Sequence, residues 1–346
     1  MTDQMHRVVL ASRPDGAVSA DNFRYEAAPI PTPGDGEVLV KIQYMSLDPY
    51  MRGRMDDAKS YSAPVPVGGS MEGGAVGEVI ASNSPHFQPG DFAFGMFGWV
   101  THGCLPAKAL QKLNPSHGPI TTALGVLGMP GFTGWHGLNT YGKPKAGETL
   151  VVAAATGPVG SMVGQVARLA GLRTVGIAGG PTKCALAVDK FGFDVCLDHR
   201  AYDTAADLRA ALGTACPGGI DIYYENVGGK ILEAVIPLMN TFGRIPICGM
   251  ISWYDAGALG ANAPAQSLTA PMIWRNILVK FLSVNGFIIS NHYDQYPAFL
   301  AEIGPKIASG EIAYVEDIAE GLENAPTAFM SMLKGGNMGK QIVKVA

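Results

Sequence analysis

The segment that starts at Thr149 constrains the fold more than any other part of the chain. Thr149-Leu150-Val151-Val152-Ala153-Ala154 is an unbroken apolar run, as expected of a strand buried on both faces. Ala155-Thr156-Gly157-Pro158-Val159-Gly160 follows, and then Val163, Val166, Ala167 and Ala170 recur at helical spacing until Gly171. Ala155, Gly157 and Gly160 take the A-x-G-x-x-G positions. Small residues there let the backbone turn tightly, approach a pyrophosphate, and aim the first amides of a helix at it. The segment therefore predicts a dinucleotide site, with Ala155, Gly157, Pro158, Val159 and Gly160 around the phosphates. In a chain with 45 glycines the pattern alone is loose; the strand before it and the helix after it give it weight.

The alternation continues downstream. Strands are predicted over 174–178, 195–197, 220–224, 244–248 and 279–284, with helices over 182–191 and 231–239. Such a series folds as a doubly wound parallel sheet covered on both faces, an α/β architecture. Upstream, short runs such as 38–42 and 75–80 alternate with turns like Gln88-Pro89-Gly90-Asp91, the pattern of a mostly-β domain. The tail predicts helices over 296–309 and 325–333, then a strand over 341–345 placed to return to the first domain. A length of 346 residues agrees with two domains.

Composition narrows the function. A net charge of −4 without a Lys/Arg cluster gives no footprint for nucleic acid. No apolar run approaches the about 18 residues of a membrane span, and residues 1–10 lack the apolar stretch of a signal peptide. The cytoplasm is the expected compartment. The five cysteines include no C-x-x-C pair, so neither a zinc lobe nor a redox dithiol is expected, and the thiols are read as small buried apolar groups.

An NAD site would place Asp or Glu at the end of the second strand, on the ribose hydroxyls. This chain has Ala178-Gly179-Gly180-Pro181-Thr182-Lys183. An acid would repel a 2′-phosphate, whereas the Gly179-Gly180 pair makes room and Lys183 supplies a cation. Arg200, after the third strand, adds a second. NADPH fits these residues better than NADH.

With these segments placed, the chain resembles the zinc-independent medium-chain dehydrogenase/reductase superfamily, in its prostaglandin reductase / alkenal double-bond reductase (curcumin-reductase-like) branch. The resemblance runs through Ser46-Leu47-Asp48-Pro49-Tyr50-Met51-Arg52-Gly53-Arg54-Met55, Leu127-Gly128-Met129-Pro130-Gly131-Phe132-Thr133-Gly134, Tyr223-Tyr224-Glu225-Asn226-Val227-Gly228-Gly229, Gly249-Met250-Ile251-Ser252-Trp253-Tyr254, Asn285-Gly286-Phe287 and Asn337-Met338-Gly339-Lys340. It implies a GroES-like, mostly-β catalytic domain over 1–127 and 305–346, and a Rossmann domain over 128–304. It also implies a homodimer that reduces the carbon–carbon double bond of small apolar enones and alkenals with NADPH. By the family pattern, Lys183 contacts the 2′-phosphate, Asn226, Tyr254 and Asn337 line the cofactor, and Phe287 lies near the nicotinamide. His199 stands where the family has a tyrosine near that phosphate, with Asp198 beside it. Trp135 and His136 follow the Gly134 helix start and are expected near the cleft. Zinc-dependent relatives carry a Cys near 45–48 and Gly-His-Glu further on; Met45-Ser46 and Ser70-Met71-Glu72 stand there instead, so no metal is expected.

Hydride addition to the β-carbon of an enone leaves negative charge on its carbonyl oxygen, and a hydroxyl aimed at that oxygen lowers the barrier. Tyr254 is the leading candidate, Tyr61 the second, and the cofactor's own ribose hydroxyl a third donor. Two other readings stay open on the sequence: an NADPH:quinone reductase on the same scaffold, and a non-catalytic NADPH-binding redox sensor.

Overall fold

The computed structural model describes residues 4–263 and 268–345. In chain order the first strands are β1 (Gln4–Leu10), β2 (Phe23–Pro29), β3 (Glu37–Ser46), β4 (Ala75–Ser82), β5 (Phe92–Gly95), β6 (His102–Pro106) and β7 (Gln111–Leu113), with the short helix α1 (Met51–Arg54) after β3. Then come α2 (Met129–Gly137), β8 (Thr149–Ala153), α3 (Pro158–Leu169), β9 (Arg173–Ala178), α4 (Pro181–Asp189) and β10 (Val195–Asp198). These are followed by α5 (Ala205–Ala215), β11 (Ile220–Tyr224), α6 (Gly229–Val235), β12 (Met239–Ile247), α7 (Ala270–Val279), β13 (Ser283–Gly286) and α8 (Tyr296–Ala308). The chain closes with β14 (Glu316–Glu320), α9 (Ala325–Leu333) and β15 (Lys340–Lys344).

These elements form two compact units. The first comprises Met1–Gly128, Tyr254–Asn262 and Glu316–Ala346; the second comprises Met129–Trp253 and Ala263–Val315. Helix α8 belongs to the second unit, so the return to the first begins at Glu316, later than the 305 expected, and the stretch from Tyr254 groups with the first unit as well.

The first unit is the GroES-like part. Its seven-stranded sheet runs β14-β15-β3-β4-β5-β7, with β6 also paired to β3, and β1 and β2 form a separate antiparallel pair. Val38, Val40 and Ile42 of β3 alternate into a core with Trp99, Phe23 and Phe329, and Leu39 on the opposite face is buried as well.

The second unit is a Rossmann fold, with a parallel six-stranded sheet in the order β10-β9-β8-β11-β12-β13. Every residue of β8 is buried, as its unbroken apolar run requires. Helix α3 is buried from Gly160 to Ala167 rather than along one stripe, and Ala170 is exposed. Helix α2 packs against α3, where a Cβ on Gly134 would come within 2.8 Å of Val159 O, and the Phe193 ring lies on Gly164. The strand expected over 279–284 is instead the end of α7, a reversal at Phe281 (φ +51°), and then β13.

Candidate functional site

Within the second unit, the glycine turn joins β8 to α3. Ala154 takes φ +52°, a left-handed conformation that turns the chain at the strand end. Gly160 has a packing role: a Cβ there would lie 2.3 Å from Ala154 O. Gly157 is different, since its Cβ would meet only Ala154 O, at 3.4 Å, and the space above the turn is open. Pro158 fills the first turn of α3, where its missing N–H costs nothing, and no side chain caps that helix start. The first-turn amides of α3 are thus left for an anion.

The second strand end supplies the cations. Gly180 sits at φ +102°, and a Cβ added there would meet nothing within 4 Å, so the backbone leaves room beside it. A Cβ on Gly179 would meet Arg200 Nε at 3.0 Å and His199 Nε2 at 3.2 Å. Burial pushes the His199 pKa down, and Lys230, Arg200 and Lys183 add to the shift against the opposing pull of Asp198. The structure therefore gathers Lys183, His199 and Arg200 on the Gly179-Gly180 turn. Lys230 is a cation that sequence reasoning missed; its Nζ donates to His199 O at 2.9 Å and Tyr202 O at 2.5 Å, holding the turn that carries His199. Asp198 does not face this group as a free acid. Its Oδ1 accepts from the Gly180 amide at 2.8 Å and the Arg200 amide at 2.9 Å. Burial raises its pKa, but those two bonds and the neighbouring cations outweigh it and keep Asp198 ionised.

At the end of β11, Asn226 donates through Nδ2 to Ala153 O at 2.8 Å, tying two strand ends together. The Phe287 ring is nearly buried; a Cβ on Gly137 would come within 2.6 Å of it. Trp135 and His136 are both buried. Trp135 Nε1 donates to Glu302 at 3.0 Å, and His136 is fully buried, stacked on His292 with ring centroids 4.2 Å apart. Both rings fill the packing of α2 against residues 287–302, because α2 is apolar on both sides. His136 Nδ1 meets Gln295 Oε1 at 3.1 Å.

Within the first unit, Tyr61 is about half exposed at 49%, and the Arg54 guanidinium lies over its ring, 4.4 Å from the centroid. Arg54 is fixed by Glu72, Nε to Oε1 at 2.5 Å. This clamp was invisible in the sequence, although Arg54 stands in a segment that carries the resemblance. Tyr254 lies in a 3-10 segment, Ile251–Ala256. The residues after it are tied to α1 and its end: Ala258 N–H donates to Asp56 Oδ2 at 3.0 Å, and buried Arg52 pairs with Asp56 at 2.6 Å and Asp255 at 3.4 Å. Asn337 donates through Nδ2 to Gly339 O at 2.8 Å.

All five cysteines are free, and burial raises every one of their thiol pKa values, that of Cys248 to about 12. Only Cys216 is fully buried, so the others depart from the expected burial. Among the described residues no group of three or more His, Cys, Asp or Glu side chains is placed to hold a metal ion, and no helix is long and apolar enough to cross a membrane.

A doubly wound sheet with an uncapped glycine turn, alongside a GroES-like unit, defines a dinucleotide-dependent oxidoreductase. Known proteins agree. The families described as N-terminal domain of oxidoreductase and zinc-binding dehydrogenase match residues 6–113 and 158–304. The NADPH-dependent curcumin reductase of Escherichia coli is 50% identical, covering 98% of this chain and 96% of that protein. The 2-alkenal reductase (NADP(+)-dependent) of Nicotiana tabacum is 41% identical, covering 90% and 88%. The crystal structure of CurA in complex with NADPH from Vibrio vulnificus superposes with a TM-score of 0.92 at 47% identity, over 99% of each chain. The chain belongs to the zinc-independent medium-chain dehydrogenase/reductase superfamily, in the prostaglandin reductase and alkenal reductase branch.

Proposed function

We propose that this protein uses NADPH to reduce the carbon–carbon double bond of small α,β-unsaturated aldehydes and ketones, with hydride added to the β-carbon. The observation that carries the cofactor choice is the set of Lys183, His199 and Arg200 on a glycine pair, with the neighbouring acid, Asp198, bonded to backbone amides. The substrate class follows the relatives: curcumin and 2-alkenals share a double bond conjugated to a carbonyl.

The bound cofactor supplies the hydride. Gly157, Val159 and Gly160 hold its pyrophosphate with first-turn amides, and Lys183 and Arg200 take the 2′-phosphate. By the family pattern, Asn226, Tyr254 and Asn337 line the cofactor and Phe287 lies near its nicotinamide. Tyr254 donates its hydroxyl to the substrate carbonyl oxygen, stabilising the enolate as charge develops there, and Tyr61 is the second candidate. A proton then reaches the α-carbon.

Steady-state NADPH oxidation against 2-alkenals, enones, quinones and alcohols tests the reading. Turnover is expected with alkenals and enones. Turnover confined to quinones would reassign the enzyme, and no turnover despite NADPH binding would make it a binding protein. Tyr254→Phe is expected to lower kcat by about 10- to 1000-fold, the range for one lost oxyanion donor; an unchanged kcat would move the role to Tyr61 or the cofactor ribose.

The proposed assembly is a homodimer through the edge of the second unit's sheet. Strand β13 ends the sheet, and Trp274 (68% exposed), Leu278 and Val284 leave an apolar face beside it, around a cavity of about 460 Å³ lined also by Ile273, Ile277 and Leu282. Such an edge pairs readily with a second copy of itself. Light scattering should give a dimer for the wild type and a monomer for Trp274→Arg.

A further inference from the structure

The loops that follow β11 and β12 are tied to each other and to one buried carboxyl group. Glu225 is 2% exposed. Its Oε1 accepts from the Val227 amide at 2.6 Å and the Gly228 amide at 2.8 Å. Its backbone extends the sheet: Glu225 N–H donates to Pro246 O, and Glu225 O accepts from Cys248 N–H, both at 2.9 Å. The second loop then closes over the first. Ile251 N–H donates to Asn226 O at 3.3 Å, while Ser252 gives Val227 O its amide at 3.0 Å and its hydroxyl at 2.5 Å. Gly228 sits at φ +78° under Trp253, where a Cβ would come within 2.7 Å of the indole.

A side chain needed only for packing would be apolar here, since burying a carboxyl is costly. Burial does push the Glu225 pKa up, against the pull of the Val227 and Gly228 amides. Its other oxygen, Oε2, lies beside the buried Tyr223 hydroxyl, and that hydroxyl and the Asn226 amide pull the Glu225 pKa down as well. The two converging amides are its close hydrogen-bond partners, and a carboxylate oxygen accepts from both more strongly than a neutral group.

We propose that Glu225 is a positioning residue for the cofactor site: by holding the Val227 and Gly228 amides it fixes the turn that presents Asn226 and onto which residues 251–253 lock. The proposal rests on the reading of Asn226 as a cofactor contact. It concerns how the contact is held, which no feature of the reaction itself requires.

Glu225→Gln and Glu225→Leu are close in size to the native residue, and only Gln keeps an oxygen for the two amides. NADPH dissociation constants, read by fluorescence titration of the folded variants, should rise about tenfold or more for Leu and stay within about threefold for Gln. A Leu variant that binds like the wild type overturns the proposal, and so does equal weakening by both variants. Asn226→Ala separates the two layers. If it leaves NADPH affinity unchanged, the cofactor contact itself is wrong; if it weakens binding while Glu225→Leu does not, only the positioning role falls. Hydrogen exchange on the ligand-free wild type decides the matter even if a variant fails to fold: the Val227 and Gly228 amides should be protected, and rapid exchange of both overturns the proposal.

Discussion

In the first unit, Lys340 and Asp48 meet as a buried ion pair, Nζ to Oδ1 at 2.9 Å, with Lys340 also donating to Leu47 O at 2.6 Å and Ser46 donating to the other Asp48 oxygen. In the second unit, the buried or half-buried acids that shape the site, Glu225 and Asp198, are answered by backbone amides instead. The first arrangement links distant strands, the ends of β3 and β15, and fails if either partner is removed. The second shapes a single turn beside Lys183 and Arg200. Stability should therefore respond most to charge changes in the first unit, and cofactor choice to charge changes in the second.

The largest effect on stability is expected from Lys340→Met. It leaves Asp48 buried without its cation, which costs about 3–5 kcal/mol; chemical denaturation measures it. The double change Lys340→Met with Asp48→Leu should recover most of that loss, and failure to recover would mean that packing, not charge, dominates there. Next is Gly160→Ala, which sets a methyl against Ala154 O. A shift of α3 costs about 1–3 kcal/mol, and NADPH binding should fall below detection in titration. Lys183→Ala sharpens the contrast from the other side: stability changes by no more than about 0.5 kcal/mol, while the KM for NADPH rises much more than that for NADH. An equal rise for both cofactors would remove Lys183 from the 2′-phosphate.

The smallest effect concerns pH. Burial, with His292 beside it, lowers the pKa of His136, despite the opposing hydrogen bond to Gln295 Oε1. Above the ordinary histidine range, folded and unfolded chains both carry it neutral, and it contributes no pH dependence. As pH falls through that range the unfolded chain binds the proton first, and stability drops until the folded pKa is reached. His136→Phe should flatten the denaturation midpoint between pH 8 and pH 5 relative to wild type.

Much of the second unit is legible in the sequence because its signals are local. The apolar runs at Thr149–Ala153 and Ile220–Tyr224 are strands, and the helix at Ala325–Leu333 in the first unit falls where its pattern puts it. The glycine turn and the Gly179-Gly180 pair likewise announce themselves within a few residues. What escapes is non-local. The reversal at Phe281 has no glycine to mark it. His292 stands in a polar stretch and reads as a surface residue, yet it stacks on His136 far back in the chain. Glu225 is visible as part of a motif, but the two amides its carboxyl accepts from are brought together only by the folded turn.

Strand β15 lies between β14 and β3 inside the first unit's sheet, and Phe329 of α9 sits in that unit's core. Both are synthesised after every residue of the second unit. During translation the parallel sheet can therefore complete itself on the nascent chain while the segment made first still waits for its interior strand. The unit begun first is thus the last to have all of its chain available. A stalled chain lacking residues 316–346 would hold a finished nucleotide-binding unit and an unfinished partner for it.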